Sequence, residues 1–331
     1  MITLWFSLVV LCWVLFFVLE GFDFGVGLLA PLLGRDDHER SAVIRTVGPF
    51  WDGNEVWLVA AIGLTFAAFP DWYAALLAGL YLPVVAVLLL LAVRGVALEF
   101  RGKSGGAGWR RGWDAALAAS SAGIVLLWGA VLGVLGRGLA LGPGGDVRGS
   151  GLGRSVSPVL SPAAGLGALA ALLTAALLGA TFLALRTTGP VRSRARRAAL
   201  WLAFGGAAAV TAVASGLGSR AVLAAAVLLI GVGLLARAGR EAIAFGAVAL
   251  GVAAAVAGVF TAHGNVVLRS TLEPAWSLTR SGAAAGDSAL RLLTVVGAVV
   301  LPGVLVYQAF SYWVFRRRVA SERVPSEPSP S

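Results

Sequence analysis

Six ionisable side chains and one amide interrupt stretches of this sequence that are otherwise apolar: Glu20 and Asp23, then Asp52, Asn54 and Glu55, then Arg94 and Glu99. A charged side chain deep in a bilayer costs roughly 2.5 to 3.5 kcal/mol on insertion scales, so each needs a partner, a proton, an interface or a function. Glu20 and Asp23 are three residues apart and share one helix face. No helix end is near them, so their burial requires a cation or a protonated form. Arg94 is the candidate cation. Asp52 and Glu55 repeat the spacing within Gly48-Pro49-Phe50-Trp51-Asp52-Gly53-Asn54-Glu55-Val56-Trp57-Leu58, where Pro49 suits a first helical position. Three helices thus bring ionisable groups to one depth, as one functional polar cluster would. The plainer reading makes Asp52 and Glu55 first-turn acids that complement the helix dipole, worth roughly 0.3 to 1 kcal/mol each; the residues alone leave both readings open. Arg101 and Lys103 read as charges held at the cytoplasmic face.

Other chemistry lacks its residues. The chain has two histidines, His38 and His263, one methionine, Met1, and one cysteine, Cys12, which cannot form an internal disulfide. His38, in Asp36-Asp37-His38-Glu39-Arg40, reads as a solvated residue, and His263 as the cap of an outer helix end. They fall in loops on opposite sides of the predicted membrane, so no pair makes a haem or metal site within it, and none is expected on this chain.

The elements that must position these residues follow from composition. The chain has 331 residues, 59% hydrophobic and 13% charged, with a mean hydropathy of +0.88. One helical span takes about 20 apolar residues. Backbone groups in lipid must bond within helices or a closed barrel, and the period-2 alternation of a barrel is absent. The sequence therefore predicts an all-α fold, a polytopic membrane bundle of about nine helices, with limits near 3–33, 50–69, 73–97, 115–136, 161–186, 198–217, 220–236, 241–262 and 288–315. Connections after odd spans carry eighteen Lys and Arg, those after even spans six. This bias predicts an outer N-terminus and a cytoplasmic C-terminus, explains the net charge of +10, and leaves nucleic acid without a basic soluble face to bind. The first span reads as retained, not as a cleaved leader.

The polar residues concentrate in a first four-helix bundle, 1–136. An outer loop, 137–160, and a second bundle with a peripheral helix, 161–315, follow; 316–331 reads as a disordered tail. A second outer segment, 263–287, reads as a loop open to a partner. Ala, Leu, Val and Gly dominate the second half, which suits close helix packing, as do Gly21, Gly25 and Gly27 on span one. Trp5, Trp51, Trp72, Trp109, Trp113, Trp276 and Trp313 fall near span ends and read as interfacial anchors.

Gly21-Phe22-Asp23-Phe24-Gly25-Val26-Gly27, then Trp51-Asp52-Gly53-Asn54-Glu55-Val56-Trp57-Leu58, then Arg94 followed by Glu99-Phe100-Arg101-Gly102-Lys103, resemble in order and spacing subunit II of the cytochrome bd-type quinol oxidases. These motifs cover the first third of the chain; the rest agrees in hydropathy and length. The resemblance implies a multi-pass protein of the bacterial plasma membrane, in a terminal oxidase that oxidises quinol and reduces O2 to water. It implies haem b and haem d in a partner, the haem-bearing subunit I, no cofactor or catalysis on this chain alone, and room for a small accessory subunit. By matching position, Asp23, Asp52, Arg94 and Glu99 correspond to polar positions that support haem assembly in the neighbour or bring protons from the cytoplasm. Glu99 stands where better-known members have an aspartate. A structural quinone of some members has no recognisable motif here.

The expected arrangement is a cytoplasm-facing hydrophilic entry built around Asp52, with Asp23 and Arg94 paired or nearly so. Its rival is a proton-coupled secondary transporter with an acidic intramembrane site at Glu20 and Asp23. That reading requires broken helices and polar residues at matched positions of two halves, and the second half supplies neither.

Overall fold

Long apolar runs joined by short basic connections fold here as a helical bundle. The structure, a computed structural model, describes the backbone over residues 1–103, 105–214 and 220–321, and the side chains of these residues except 209–226. Among the described residues there are eleven α-helices: α1 (Ile2–Leu33), α2 (Asp37–Arg45), α3 (Trp51–Ala68), α4 (Pro70–Phe100), α5 (Ala107–Arg137), α6 (Gly151–Val156), α7 (Pro162–Arg186), α8 (Gly189–Ala214), α9 (Arg220–Arg237), α10 (Glu241–Thr261) and α11 (Asp287–Val314). All but the short α2 and α6 fall on the nine expected spans. Six of them, α1, α4, α5, α7, α10 and α11, are by length and composition apolar enough to cross a membrane. Asp52, Asn54 and Glu55 in its first turns dilute the apolarity of α3.

Two boundaries differ from the sequence reading. The arginine run Arg192 to Arg197, expected in a connection, is the opening of α8, which starts at Gly189. Arginine is a good helix former, and Pro190 is tolerated in a first turn. Residues 316–321, expected in a disordered tail, run along the end of α7: Val319 N–H donates to the Arg186 carbonyl at 2.7 Å and Thr188 N–H to the Val319 carbonyl at 3.1 Å. The remainder of that tail, 322–331, lies outside the described residues.

The centre of the bundle is α1, which packs on α3, α5, α7 and α10. Small residues permit the approach, as Gly25 anticipates. A Cβ at Gly25 would run into the Ala175 carbonyl and lie 2.8 Å from Gly179 Cα on α7. Gly129 on α5 meets Gly167 of α7 in the same way. Backbone contact of this kind is how helices associate where lipid removes the hydrophobic drive.

The outer segments close on this chain. The strands β1 (Val266–Leu268) and β2 (Leu278–Thr279) pair antiparallel. Gly138, at φ 103°, turns the chain out of α5, so that Leu139 N–H reaches the Arg269 carbonyl at 3.0 Å, and Ala285 N–H bonds the Ala68 carbonyl at 2.9 Å. His263 Nε2 donates to the Gly136 carbonyl at 3.0 Å, capping α5. Trp5 and Trp72, expected at headgroup level, are instead buried. Trp5 Nε1 donates to the Leu290 carbonyl at 3.3 Å and Thr294 Oγ1 at 3.1 Å, tying α11 to α1.

At the opposite end α2 lies across the bundle in an ion-pair lattice. Arg101, expected as a charge at the cytoplasmic face, is buried: its guanidinium pairs with Asp114 of α5 and donates to Asp37 and Ser41 of α2 at 2.9 Å each. Arg40 reaches the same Asp114 at 3.3 Å and Arg110 reaches Asp37 at 3.1 Å. His38 is half-buried on α2. Glu241 is buried beneath Arg192, Arg196 and Arg318.

Two measurements follow from this packing. Gly25→Val forces α1 and α7 apart and lowers the thermal midpoint in detergent, by overpacking of about 1 to 3 kcal/mol, whereas Gly246→Ala, with open space around the new methyl group, keeps it. At Glu39, burial acts to raise the carboxyl. The hydrogen bonds from Arg194 and the Arg35 N–H, with the Arg194 charge, outweigh it and hold it below the ordinary carboxylate range. A depressed folded value means the stabilisation is complete above the unfolded value near pH 4.3 and is lost as pH falls through the lower folded one. Glu39→Gln therefore costs about 1 kcal/mol at neutral pH, and melting curves of variant and parent converge as pH drops below about 4.

Candidate functional site

Four helices build a polar cluster around one guanidinium. Arg94, on α4, is 0% exposed, as is Glu20 on α1; Asp23, one turn further along α1, is 1% exposed. Arg94 Nη1 lies 3.6 Å from Glu20 Oε2 and 3.2 Å from Glu55 Oε1 of α3. Its guanidinium carbon sits 4.9 Å from the centroid of the Phe24 ring, a cation–π contact that suits a desolvated arginine. The three-residue spacing on α1 and the neighbouring positions Asn54 and Glu55 on α3 set these groups face to face where the two helices pack.

The expected pairing of Asp23 with Arg94 is not the one made. Glutamates at 20 and 55, with the longer reach, take the guanidinium, and Asp23 Oδ2 instead accepts from Asn54 Nδ2 at 2.6 Å. The Asn54 carbonyl oxygen in turn accepts from Gln308 Nε2 and from the Tyr312 hydroxyl of α11, both at 2.8 Å. Tyr312 stacks on Phe50, with centroids 4.5 Å apart and planes at 8°. Several buried polar atoms have no hydrogen-bond partner among the described residues: Asp23 Oδ1, both Glu20 carboxylate oxygens, and Arg94 Nε and Nη2.

Of the residues singled out from the sequence, Glu20, Asp23, Asn54, Glu55 and Arg94 come together. Asp52 and Glu99 do not join them: both are exposed at the lattice end of the bundle. Asp52 opens α3 one turn before Glu55, whose side chain is 26% exposed, so Glu55 stands between the surface and the buried groups. Two members went unnoticed in the sequence. Gln308 and Tyr312 are four residues apart, hence on one face of α11, and an amide in a long apolar span was the available signal.

The cluster sets two buried carboxylates and a partly exposed third against one guanidinium, an imbalance that a proton can relieve. Among the described residues no group of three His, Cys, Asp or Glu side chains is placed to hold a metal ion. A separate cavity of about 50 Å³, lined mainly by apolar side chains such as Trp13, Phe17, Leu80, Trp128 and Phe260, has Thr65 and Tyr73 as its polar members and no carboxylate.

Comparison with known proteins accords with this arrangement. Residues 1–315 match the family described as Cytochrome bd terminal oxidase subunit II. The chain is 37% identical over 330 residues to the cytochrome bd ubiquinol oxidase subunit 2 of Bacillus subtilis, with 96% of each chain covered. It is 29% identical over 366 residues to the cytochrome bd-I ubiquinol oxidase subunit 2 of Escherichia coli strain K12, covering 97% of this chain and 96% of that one. Its fold is similar to that in the structure of bd oxidase from Geobacillus thermodenitrificans, with a TM-score of 0.66 at 16% identity over 95% of this chain and 96% of the other. These matches reach through the second half, where the motifs had not extended, and do not favour the transporter reading. The chain is a multi-pass bacterial membrane protein and belongs to the cytochrome bd terminal oxidase subunit II family, a component of a respiratory oxidoreductase complex.

Proposed function

We propose that this chain is the haem-free subunit of an oxidase that oxidises quinol and reduces O2 to water. It stabilises a haem-bearing partner, subunit I, which holds haem b and haem d, and carries protons inward from the cytoplasmic side. The observation that supports the proton role is the excess of buried carboxylates over Arg94. One guanidinium compensates one carboxylate, and a second or third buried negative charge is too costly without a further cation or a proton. Protons are therefore the counter-charges that the cluster exchanges. The basic bias of the loops supports a cytoplasmic position for the lattice end. Asp52 is the exposed collecting group there, Glu55 the partly exposed link, and Arg94 with Glu20 and Asp23 the interior store. Glu99, exposed at the same end, adds a second surface carboxylate. Asp23, Asp52, Arg94 and Glu99 also support assembly of the partner's haems, through the fold they hold together.

Two measurements on the assembled complex test this. Asp23→Asn, which keeps the shape and removes the proton-holding group, is expected to slow O2 reduction about a hundredfold, the low end of what a positioned proton-transfer group contributes, with the haem absorption bands retained. Wild-type turnover in both Asp23→Asn and Asp52→Asn would sink the proton role. For the charge balance, Arg94→Leu leaves buried carboxylates without their cation and is expected to cost roughly 3 to 5 kcal/mol of stability. Combining it with Glu20→Gln is expected to restore most of the thermal midpoint. A double variant no more stable than Arg94→Leu alone would show that the pair is not coupled.

A further inference from the structure

We infer that Gln308 and Tyr312 of α11 are positioning residues for the proton site: they lock the Asn54 amide so that Asp23 exchanges its proton through Oδ1 alone. This rests on the reading of the cluster as a proton store and deepens it.

The argument is one of donors and acceptors. An asparagine side chain has one oxygen with two lone pairs and one NH2 with two donors. Gln308 Nε2 and the Tyr312 hydroxyl, both at 2.8 Å, fill both lone pairs of the Asn54 oxygen. The NH2 is then committed to Asp23 Oδ2 at 2.6 Å. A half-turn of the amide would set its oxygen against the Asp23 carboxylate and its NH2 against the Gln308 Nε2 donor, losing both of those bonds and keeping at most the one to the Tyr312 hydroxyl, which can also accept; Asn54 is 0% exposed, so water cannot replace them. Oδ2 therefore stays an acceptor. Oδ1, buried and without a partner among the described residues, is the oxygen left to take up and release a proton.

The two α11 residues are themselves fixed. Tyr312 lies flat on the buried Phe50 ring, which leaves its hydroxyl little freedom. Gln308 packs where α3 has Gly53, whose added Cβ would lie 3.6 Å from Gln308 Oε1. The rest of α11 does not explain this contact by packing, because Leu290, at its other end, is its one buried residue. The titratable and polar groups near Asp23 are Glu20 from α1, Asn54 and Glu55 from α3, Arg94 from α4, and this pair from α11.

The test uses the assembled complex with Tyr312→Phe, Gln308→Leu and the two combined, beside Asp23→Asn. The readouts are haem absorption, O2-reduction turnover, and the infrared carboxyl C=O band that vanishes in Asp23→Asn. In the combined variant we expect wild-type haem bands, turnover lowered about three- to tenfold, as one or two lost hydrogen bonds convert to rate, and a shifted carboxyl band. Each single variant leaves one lone pair occupied and has a smaller effect. A combined variant with wild-type turnover and an unmoved band, while Asp23→Asn is slow, overturns this inference and leaves the proton site standing. Wild-type turnover in Asp23→Asn overturns this inference and removes Asp23 from the proton site; joined by wild-type turnover in Asp52→Asn it overturns the proton role as well. Loss of haem bands in Tyr312→Phe, which keeps the ring on Phe50 and removes only the hydroxyl, would make α11 an assembly tether and overturn the positioning role.

Discussion

The structure depends most on the burial of Arg94. A guanidinium with no exposure must be compensated within reach or it costs several kcal/mol, and this requirement fixes which helices meet at its depth. Glu20 ties α1 to α4 through a side-chain ion pair, Glu55 ties α3 to α4, and the face of Phe24 closes the remaining side. Once these contacts are set, Asp23 is carried into the interior by its place one turn along α1, with no cation of its own. The carboxylate excess that gives the cluster its chemistry is thus a consequence of geometry: one arginine calls in two glutamates, and the aspartate comes with the helix.

The same chain uses charge in a second way at its lattice end, and the difference lies in the water. Asp37 and Glu39, with Arg40, Arg101, Arg110 and Arg194, form pairs of mixed exposure. Isolated pairs at that level contribute little, and a shared carboxylate such as Asp114 gains from the network. These bonds hold α2 across the ends of α4, α5 and α8. They leave each carboxylate matched by at least one arginine, which makes a structural brace and a poor proton store. The buried cluster inverts that ratio, so the two sets of acids serve different ends although both sit in the same part of the sequence.

Much of this was legible in the residues. Hydropathy marks the long apolar helices because a span in lipid has a fixed apolar length, and the spacing of Glu20 with Asp23 and of Asp52 with Glu55 marks two helix faces. What it could not give is the assignment of partners. Arg94 has four carboxylates within plausible reach in one dimension, and only packing decides that Glu20 and Glu55 take it while Asp23 turns to Asn54. Arg101 looks like any loop arginine, because its partner Asp114 is hidden at the start of a later span. Trp5 and Trp72 look interfacial by position and are buried because α11 covers Trp5 and the rings of Phe6, Phe69 and Phe260 surround Trp72. Gln308 and Tyr312 were out of reach for the same reason: the bonds to Asn54 join residues 254 and 258 apart in sequence.

That separation says something about how a peripheral helix is placed. In lipid an apolar helix face gains little by leaving the tails for another apolar face, so directional bonds and close backbone contact fix a helix's position. On α11 the directional bonds lie at its two ends, Trp5 to Leu290 and Thr294 at one, and Asn54 to Gln308 and Tyr312 at the other. The chain beyond it, strapped to Arg186 and Thr188, limits sliding along the bundle. The end that meets Asn54 is therefore held by hydrogen bonds to the group that orients Asp23. A displacement of α11 sufficient to break those bonds unseats the amide, and one that keeps them leaves the carboxylate where it is. The helix contributed last in the chain thus governs the geometry of an acid contributed by the first.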